Sequence, residues 1–278
     1  MLAIDHLTYR YNRHTEALSD VSARINPGIC LVLGQNGAGK TTLLNLCSGG
    51  IFPTGGTVHF DSENPSLRQP STLSRIFFLP SDYCSPFRNI NDAAEYHAPF
   101  YPRFSRLYFE ENLMAFGLTG KEKLRSLSLG MLHKANIAFA LALRPELLLL
   151  DEPANGLDIN SKKELRRMVS RCVDEEQTVL ISTHTVADLE VLYDSVLLLD
   201  HGHVLLNAST AAIADSLAFV KSSEPLPQAL YIENDCGAFR MILPSDGTEQ
   251  TNIDYELLYS ALLSESRQSL LTLLNAPL

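Results

Sequence analysis

The strongest chemical signal in the chain is the stretch Gly34-Gln35-Asn36-Gly37-Ala38-Gly39-Lys40-Thr41-Thr42. It matches G-x-x-x-x-G-K-[ST], in which glycines let the backbone wrap a phosphate chain with successive N–H groups turned inward. Lys40 then contacts the β- and γ-phosphates, and the Thr41 hydroxyl is suited to ligate magnesium. Such a loop needs a strand before it and a helix after it. Residues 30–33 read as a strand, and the apolar positions Leu43, Leu44, Leu46 and Cys47 follow Lys40 at helical spacing, ending at Gly49-Gly50. The loop alone does not choose among kinases, GTPases and ATPases.

Two further motifs narrow the chemistry. Leu147-Leu148-Leu149-Leu150-Asp151-Glu152-Pro153 is a buried-type strand ending in two carboxylates. An Asp at a strand's carboxyl end, beside a phosphate loop, suits a magnesium ligand, and the adjacent Glu suits polarisation of an attacking water. Leu127-Ser128-Leu129-Gly130-Met131 stands just before a helix expected over 132–143, so Ser128 and free N–H groups are offered there to an anion.

These motifs require a particular scaffold. Short apolar runs alternate with helical patterns, which predicts α/β architecture. Strands are expected at residues 2–9, 21–25, 30–33, 75–79, 147–150, 178–182, 196–199 and 204–206. Between residues 83 and 143 aromatics, prolines and helical periodicity replace strand signals, reading as an inserted helical subdomain. Past residue 207 the composition shifts again. Residues 224–227, Glu-Pro-Leu-Pro, read as a linker, and 230–232 with 239–243 as a hairpin across Asn234-Asp235-Cys236-Gly237, before a closing helix from Asp254.

Composition removes several function classes. The chain has 278 residues, 45% of them hydrophobic, and a net charge of −10, which leaves no electrostatic footprint for nucleic acid or an anionic membrane. Lys162, Lys163, Arg166 and Arg167 read as a solvated helix face, not a nucleic-acid patch. No apolar run approaches the roughly 20 residues of a membrane span. The five scattered cysteines form no Cys-x-x-Cys pair, which argues against a disulfide scaffold or zinc finger. Asp5 and His6 break any signal-peptide core, so a soluble cytoplasmic chain is expected.

Taken in order, GQNGAGKTT, LSLGM, LLLLDEP, Asn155-Gly156-Leu157-Asp158 and Ser182-Thr183-His184 resemble the ATP-binding subunit of an ABC transporter over roughly residues 1–207. The resemblance implies a P-loop NTPase (RecA-like) core with an antiparallel β subdomain at 1–82 and 145–207. It also implies a helical subdomain with the signature motif at 83–144 and a small C-terminal α+β accessory region at 208–278. ATP and Mg2+ are the implied ligands. ATP would lie on Gly34, Asn36, Gly37, Ala38, Gly39, Lys40, Thr41 and Thr42, with Tyr11 stacked on adenine and Thr41 with Asp151 holding the metal. Glu152 would activate water and His184 would hold the γ-phosphate region. Ser128 and Gly130 would complete the site of an opposing subunit, in a homodimer or in a heterodimer with a second ATPase subunit. Asp158, in the D-loop, would carry information across the dimer. Separate transmembrane permease subunits are the implied partner, with this chain peripheral on the cytoplasmic face of the cell membrane, and the single-ATPase format, the SLGM-type signature and the Tyr101-Pro102-Arg103-Phe104 stretch resemble bacterial export systems.

Two places depart from the family pattern. Ser81 stands after Pro80 where many members have Gln, with Asp82 as the candidate replacement near the metal, and Leu129 and Met131 replace Gly and Gln in the signature. Since Lys40, Asp151, Glu152 and His184 all remain, slow hydrolysis is expected. The alternative is a nucleotide-sensing regulatory protein with little or no turnover. The aromatics between Phe87 and Phe109 read either as filling for the helical subdomain or as a groove for the permease.

Overall fold

The computed structural model describes residues 1–184, 193–245 and 251–274. The chain opens with β1 (Leu2–Asn12) and β2 (Thr15–Ile25), then β3 (Gly28–Leu33), α1 (Lys40–Cys47), β4 (Gly55–Phe60), the short α2 (Pro70–Leu73) and β5 (Ile76–Leu79). Three helices follow, α3 (Ile90–His97), α4 (Arg106–Ala115) and α5 (Leu129–Leu143). Then come β6 (Leu147–Asp151), α6 (Ile159–Cys172), β7 (Thr178–Thr183), β8 (Ser195–Asp200) and β9 (His203–Ser209). The remainder is α7 (Thr210–Ser216), β10 (Leu217–Ser222), β11 (Tyr231–Asp235), β12 (Ala238–Pro244), α8 (Tyr255–Leu262) and α9 (Arg267–Leu273).

A six-stranded sheet of order β5-β6-β7-β3-β8-β9 is the centre of the molecule, parallel except for the antiparallel edge pair β8 and β9. The middles of its inner strands are apolar because both faces are covered, and alternate side chains go to different cores. Leu148, Leu150, Val179, Ile181 and Leu31 face one core, shared with the α3–α5 helices and the C-terminal elements. Leu147, Leu149, Leu180, Cys30 and Val32 face the other, shared with α1 and an antiparallel sheet of order β2-β1-β4. Fully burying each such side chain is worth about 1.5–3 kcal/mol, so the run of four leucines holds β6 within the sheet, while the polar residues at its end set the register.

Register is what builds the site. Asp151 pairs with Ser182 on β7, and Leu33 pairs with Thr183, so the carboxyl ends of β6, β7 and β3 stop at one level. Open α/β sheets bind ligands in the crevice beyond those ends.

α5 runs inward from this edge. Its first residue, Leu129, is 84% exposed, whereas Ala135 to Leu143 are all buried. Four alanines on that stretch let α5 approach the sheet and α4 closely. Buried Asn112 of α4 donates to the Ala138 carbonyl at 3.3 Å and accepts from Arg171 of α6 at 2.6 Å, tying three helices with one amide.

Several elements differ from the sequence expectation. β4 was not anticipated: it opens on Gly55-Gly56 and has only Val58 and Phe60 buried, too short an alternation to read. β2 starts at Thr15 and α5 at Leu129, both earlier than expected, because their first residues are exposed. Residues 224–227 are not a linker between units. They join β10 to β11 within one antiparallel sheet of order β10-β12-β11, and β10 itself was missed. The hairpin of β11 and β12 turns at Cys236 and Gly237, with φ of 49° and 92°, the paired left-handed turn that suits strand twist.

His97 lies among aromatic rings, 5.2 Å from Tyr96, 5.5 Å from Phe87 and 5.8 Å from Phe139. Burial pushes its imidazole pKa below the ordinary value, as burial does for His133 despite an opposing bond to the Pro153 carbonyl. The fold therefore favours both rings neutral: their contribution is intact above the unfolded-state pKa and is lost as pH falls through it. The melting temperature should drop between about pH 7.5 and about pH 5.5. His97→Phe should make that drop shallower in a thermal melt read at several pH values.

Candidate functional site

The loop from Gly34 to Thr42 is wedged between two strands. A Cβ on Gly34 would sit 2.4 Å from the Leu199 carbonyl of β8, and one on Gly39 would sit 2.7 Å from the Ala17 carbonyl of β2. Gly37 and Gly39 also have φ of 86° and 104°, a left-handed backbone that glycine adopts freely. α1 starts on Gly39 with no side chain capping it and no acidic residue in its first turn. Its open N–H groups and positive dipole end thus face the cleft, the arrangement that receives phosphate.

Lys40 is buried, with Nζ donating to the Gly34 carbonyl at 2.8 Å and the Gln35 carbonyl at 3.2 Å, and lying 3.5 Å from Glu152 Oε1. Thr41 Oγ1 donates to Asp151 Oδ2 at 2.9 Å, and Ser182 Oγ donates to Asp151 Oδ1 at 2.6 Å. The Asp151 carboxylate is 2% exposed, and each of its oxygens accepts one hydroxyl. Glu152 follows in a left-handed backbone, φ 50°, its N–H shared between the Ser182 carbonyl and hydroxyl at 3.1 and 3.0 Å. That turn sends its carboxylate into the cleft, where Oε2 lies 2.8 Å from His184 Nδ1. Tyr11, 59% exposed at the mouth, bonds the Thr42 hydroxyl at 2.9 Å and meets Tyr9 edge-on at 5.0 Å.

Together these residues enclose a cleft of about 570 Å3 that also takes in Ser81 and Asn155. A family profile described as ABC transporter matches residues 18–155. The chain is 30% identical over 209 residues to the lantibiotic transport ATP-binding protein SrtF of Streptococcus pyogenes, covering 74% of this chain and 90% of that one. The chain belongs to the ABC transporter family of ATP-binding proteins.

It is 36% identical over 195 residues to the aliphatic sulfonates import ATP-binding protein SsuB 1 of Rhodococcus jostii, with coverage of 69% and 76%. Similarity to the ABC transporter ATP-binding protein YtrB of Bacillus subtilis is 32% over 180 residues, spanning 63% of this chain and 61% of that relative's length. Among solved structures, an ATP-binding subunit of an ABC transporter superposes with a TM-score of 0.67 at 23% identity, covering 77% of this chain and 91% of that one. A dimeric ATP-binding cassette in a post-hydrolysis state with ADP and Pi superposes with a TM-score of 0.64 at 22% identity, covering 75% and 98%. The fold is thus that of an ABC cassette, and the chain is an ATP-binding ABC ATPase. Among the described residues no helix is long and apolar enough to cross a membrane.

This ABC ATPase places its remaining motif residues away from the cleft. Ser128 caps α5 through the Met131 N–H at 3.3 Å, and the α-carbon of Gly130 faces the Gly156 carbonyl, where an added Cβ would come 3.6 Å from it. Asp158 caps α6 through the Ser161 N–H and hydroxyl, both at 2.9 Å, and pairs with Lys134 of α5 at 3.1 Å. Those partners, Ser161 first, hold its carboxyl well below the usual carboxylate range. Signature and D-loop are therefore one connected surface, separate from the phosphate loop of the same chain. Ser81 lines the cleft and Asp82 is not among the lining residues; the two sit in a turn closed by the Tyr83 N–H donating to the Pro80 carbonyl at 3.2 Å.

Ser182 and Asn155 were named in the sequence only as members of their motifs, with no role in the site. The signal for Ser182 is its place near the end of a strand that leads to His184; the signal for Asn155 is its place in the D-loop just after Glu152. For a metal, the donors at hand are hard oxygens, Thr41 Oγ1 and the Asp151 carboxylate. They suit magnesium, which takes few protein ligands beside phosphate oxygens and water. Among the described residues no cluster of three His, Cys, Asp or Glu competes for it.

Ser182→Ala removes one acceptor-satisfying hydroxyl from buried Asp151 and one partner from the Glu152 N–H. It should cost about 1–3 kcal/mol of stability, measurable by denaturant unfolding, and leave the apolar neighbours of β7 unchanged.

Proposed function

We propose that this ABC ATPase binds Mg-ATP in the cleft, closes over it together with a second ATPase subunit, and energises a separate transmembrane permease, in the direction of export. The observation that carries the reading is the pair of neighbouring carboxylates at the end of β6. Asp151 is held by two hydroxyls at the depth of the phosphate loop, while Glu152 is turned up beside Lys40 and His184.

In this reading the loop N–H groups and Lys40 take the phosphates, Lys40 exchanging the Gly34 and Gln35 carbonyls for phosphate oxygens. Tyr11 offers its exposed ring face to adenine. Thr41 and Asp151 hold magnesium, which supplies charge neutralisation at the β- and γ-phosphates. Glu152 accepts a proton from the attacking water, with Oε2 oriented by His184. Its side chain is only 13% exposed, so bulk solvent has little access to the carboxylate. Ser128 and the free N–H groups of α5 lie outside their own chain's cleft, so they complete the site of an opposing copy or of a second ATPase chain. A permease is the membrane partner, and the protein works on the cytoplasmic face through it, with no nucleic-acid partner.

Export is supported by the single-ATPase format and the SLGM-type signature, and the sulfonate importer among the relatives weighs on the other side. A nucleotide sensor without turnover is favoured by one observation: Ser81, too short to reach the attacking water, stands in the cleft where the family pattern has Gln.

Phosphate release from purified protein with Mg-ATP separates these readings. Glu152→Gln should lower turnover by about 10²–10⁴ while retaining ATP, and should elute as an ATP-trapped dimer on size exclusion. ATP binding with no Glu152-dependent release, even with the permease present, would establish the sensor. Ser81→Gln should raise the rate about fivefold, the worth of one regained neutral hydrogen bond.

A further inference from the structure

The C-terminal elements reach the strand end that backs the phosphate loop. Tyr259, on α8, has its hydroxyl 3.2 Å from Asp200 Oδ1 and 3.4 Å from the Leu199 carbonyl, so it donates toward two acceptors at the end of β8. Leu199 is the residue against which Gly34 is pressed, since a Cβ there would meet this same carbonyl at 2.4 Å. Burial raises the Tyr259 phenol pKa and the Asp200 carboxylate adds to the rise. On the loop side, Gly34 and Gln35 accept Lys40 Nζ at 2.8 and 3.2 Å. Leu199 and Gly34 therefore stand between an appendage side chain and the lysine that must take the phosphates.

Docking of α8 does not need this hydroxyl. Tyr255, Leu257, Leu258, Ala261 and Leu262 are buried in the core, and Asp254 caps the helix through the Leu257 N–H at 2.9 Å. The apolar face holds the helix, and the hydroxyl reaches past it to the loop. Between α8 and the loop lies a second cavity of about 500 Å3, walled by Gly34, Gln35, Glu256 and Tyr259. Asn36 and His184 line both this cavity and the nucleotide cleft, so the two are contiguous.

We propose that Tyr259 is a positioning residue for the phosphate loop, by which the C-terminal appendage and the nucleotide cleft are energetically coupled. The inference rests on the reading of the cleft as the ATP site. Tyr259 holds the first turn of the loop, through the Leu199 carbonyl on which Gly34 is pressed, in the shape that receives phosphate. Coupling of this kind is reciprocal: if α8 favours ATP binding, ATP binding protects α8 by the same factor.

The test uses the full chain with magnesium and a non-hydrolysable ATP analogue, read by calorimetry and by amide hydrogen exchange. Tyr259→Phe keeps the ring and removes the oxygen. Its Kd should rise about fivefold, the worth of one net hydrogen bond. In ATPase assays its KM for ATP should rise likewise with kcat unchanged within about twofold. In wild type the amides of residues 255–262 should exchange more slowly with the analogue bound, and in Tyr259→Phe that protection should shrink. Lys221→Gln is the control: it breaks the exposed pair with Asp235 inside the appendage, away from α8 and the loop, and should leave the Kd unchanged. A wild-type Kd in Tyr259→Phe, or an equal loss in Lys221→Gln, overturns the positioning role and leaves the ATP site standing. Absence of analogue binding by wild type overturns the reading of the cleft, and the inference with it.

Discussion

A carboxylate that cannot reach water governs this structure. Asp151 ends a strand whose four preceding leucines are buried on both faces of the sheet, so its own position leaves it almost no solvent. An ionised carboxylate in such a place is costly unless donors replace its lost hydration. Two hydroxyls do so, one from β7 and one from the first turn of α1. Because Thr41 belongs to the phosphate loop's own helix, satisfying Asp151 also sets the depth of the loop. Because Ser182 holds the Glu152 N–H as well, it also sets the turn that lifts Glu152 out of the sheet. The charge that is dangerous to bury becomes the reference point for every other group in the cleft.

The same logic explains the resting arrangement of the charged side chains. Buried Lys40 bonds two loop carbonyls and lies near Glu152, which in turn meets His184. No member is left without a partner, yet each bond is one that a phosphate or a water can replace. A site built of exchangeable partners keeps its geometry without storing a large desolvation cost for the ligand to overcome.

What could be read in the sequence was what is local. The phosphate loop is contiguous, and its glycines are required where φ is positive or where β2 and β8 press on it, so the residue types themselves report the geometry. The leucine run of β6 reports a doubly covered strand for the same reason. Elements defined by partners far along the chain were opaque. β4 and β10 are short and only partly buried, and their apolar residues gain meaning only beside β1 and β12. Ser182 became visible through the register that sets it opposite Asp151. Which of Ser81 and Asp82 lines the cleft depends on how the turn after Pro80 is oriented, which composition cannot decide. The prolines at 225 and 227 were legible as a loop, but not as a loop within a sheet.

In the proposed reading, the surface bearing Ser128 belongs to the site of an opposing subunit. Leu129 is 84% exposed and Ile159 75% exposed, on either side of the contact between α5 and the D-loop. Isolated apolar side chains on a surface need no explanation, but these two flank a rigid seam in which Lys134 bonds Asp158 and His133 bonds the Pro153 carbonyl. A seam so fixed holds the two apolar side chains and the capped start of α5 in one orientation, aimed away from the chain's own nucleotide cleft. Preorganisation of this sort lowers the cost of association, since little remains to be ordered when a partner arrives. The phosphate loop, in contrast, is supported from behind by β2, β8 and α8 and open in front. In the proposed reading one face of the molecule receives phosphate and another offers a helix start, and a single chain does not bring the two together. That division is a property of the fold's geometry, set by the distance between the carboxyl ends of the strands and the exposed end of α5.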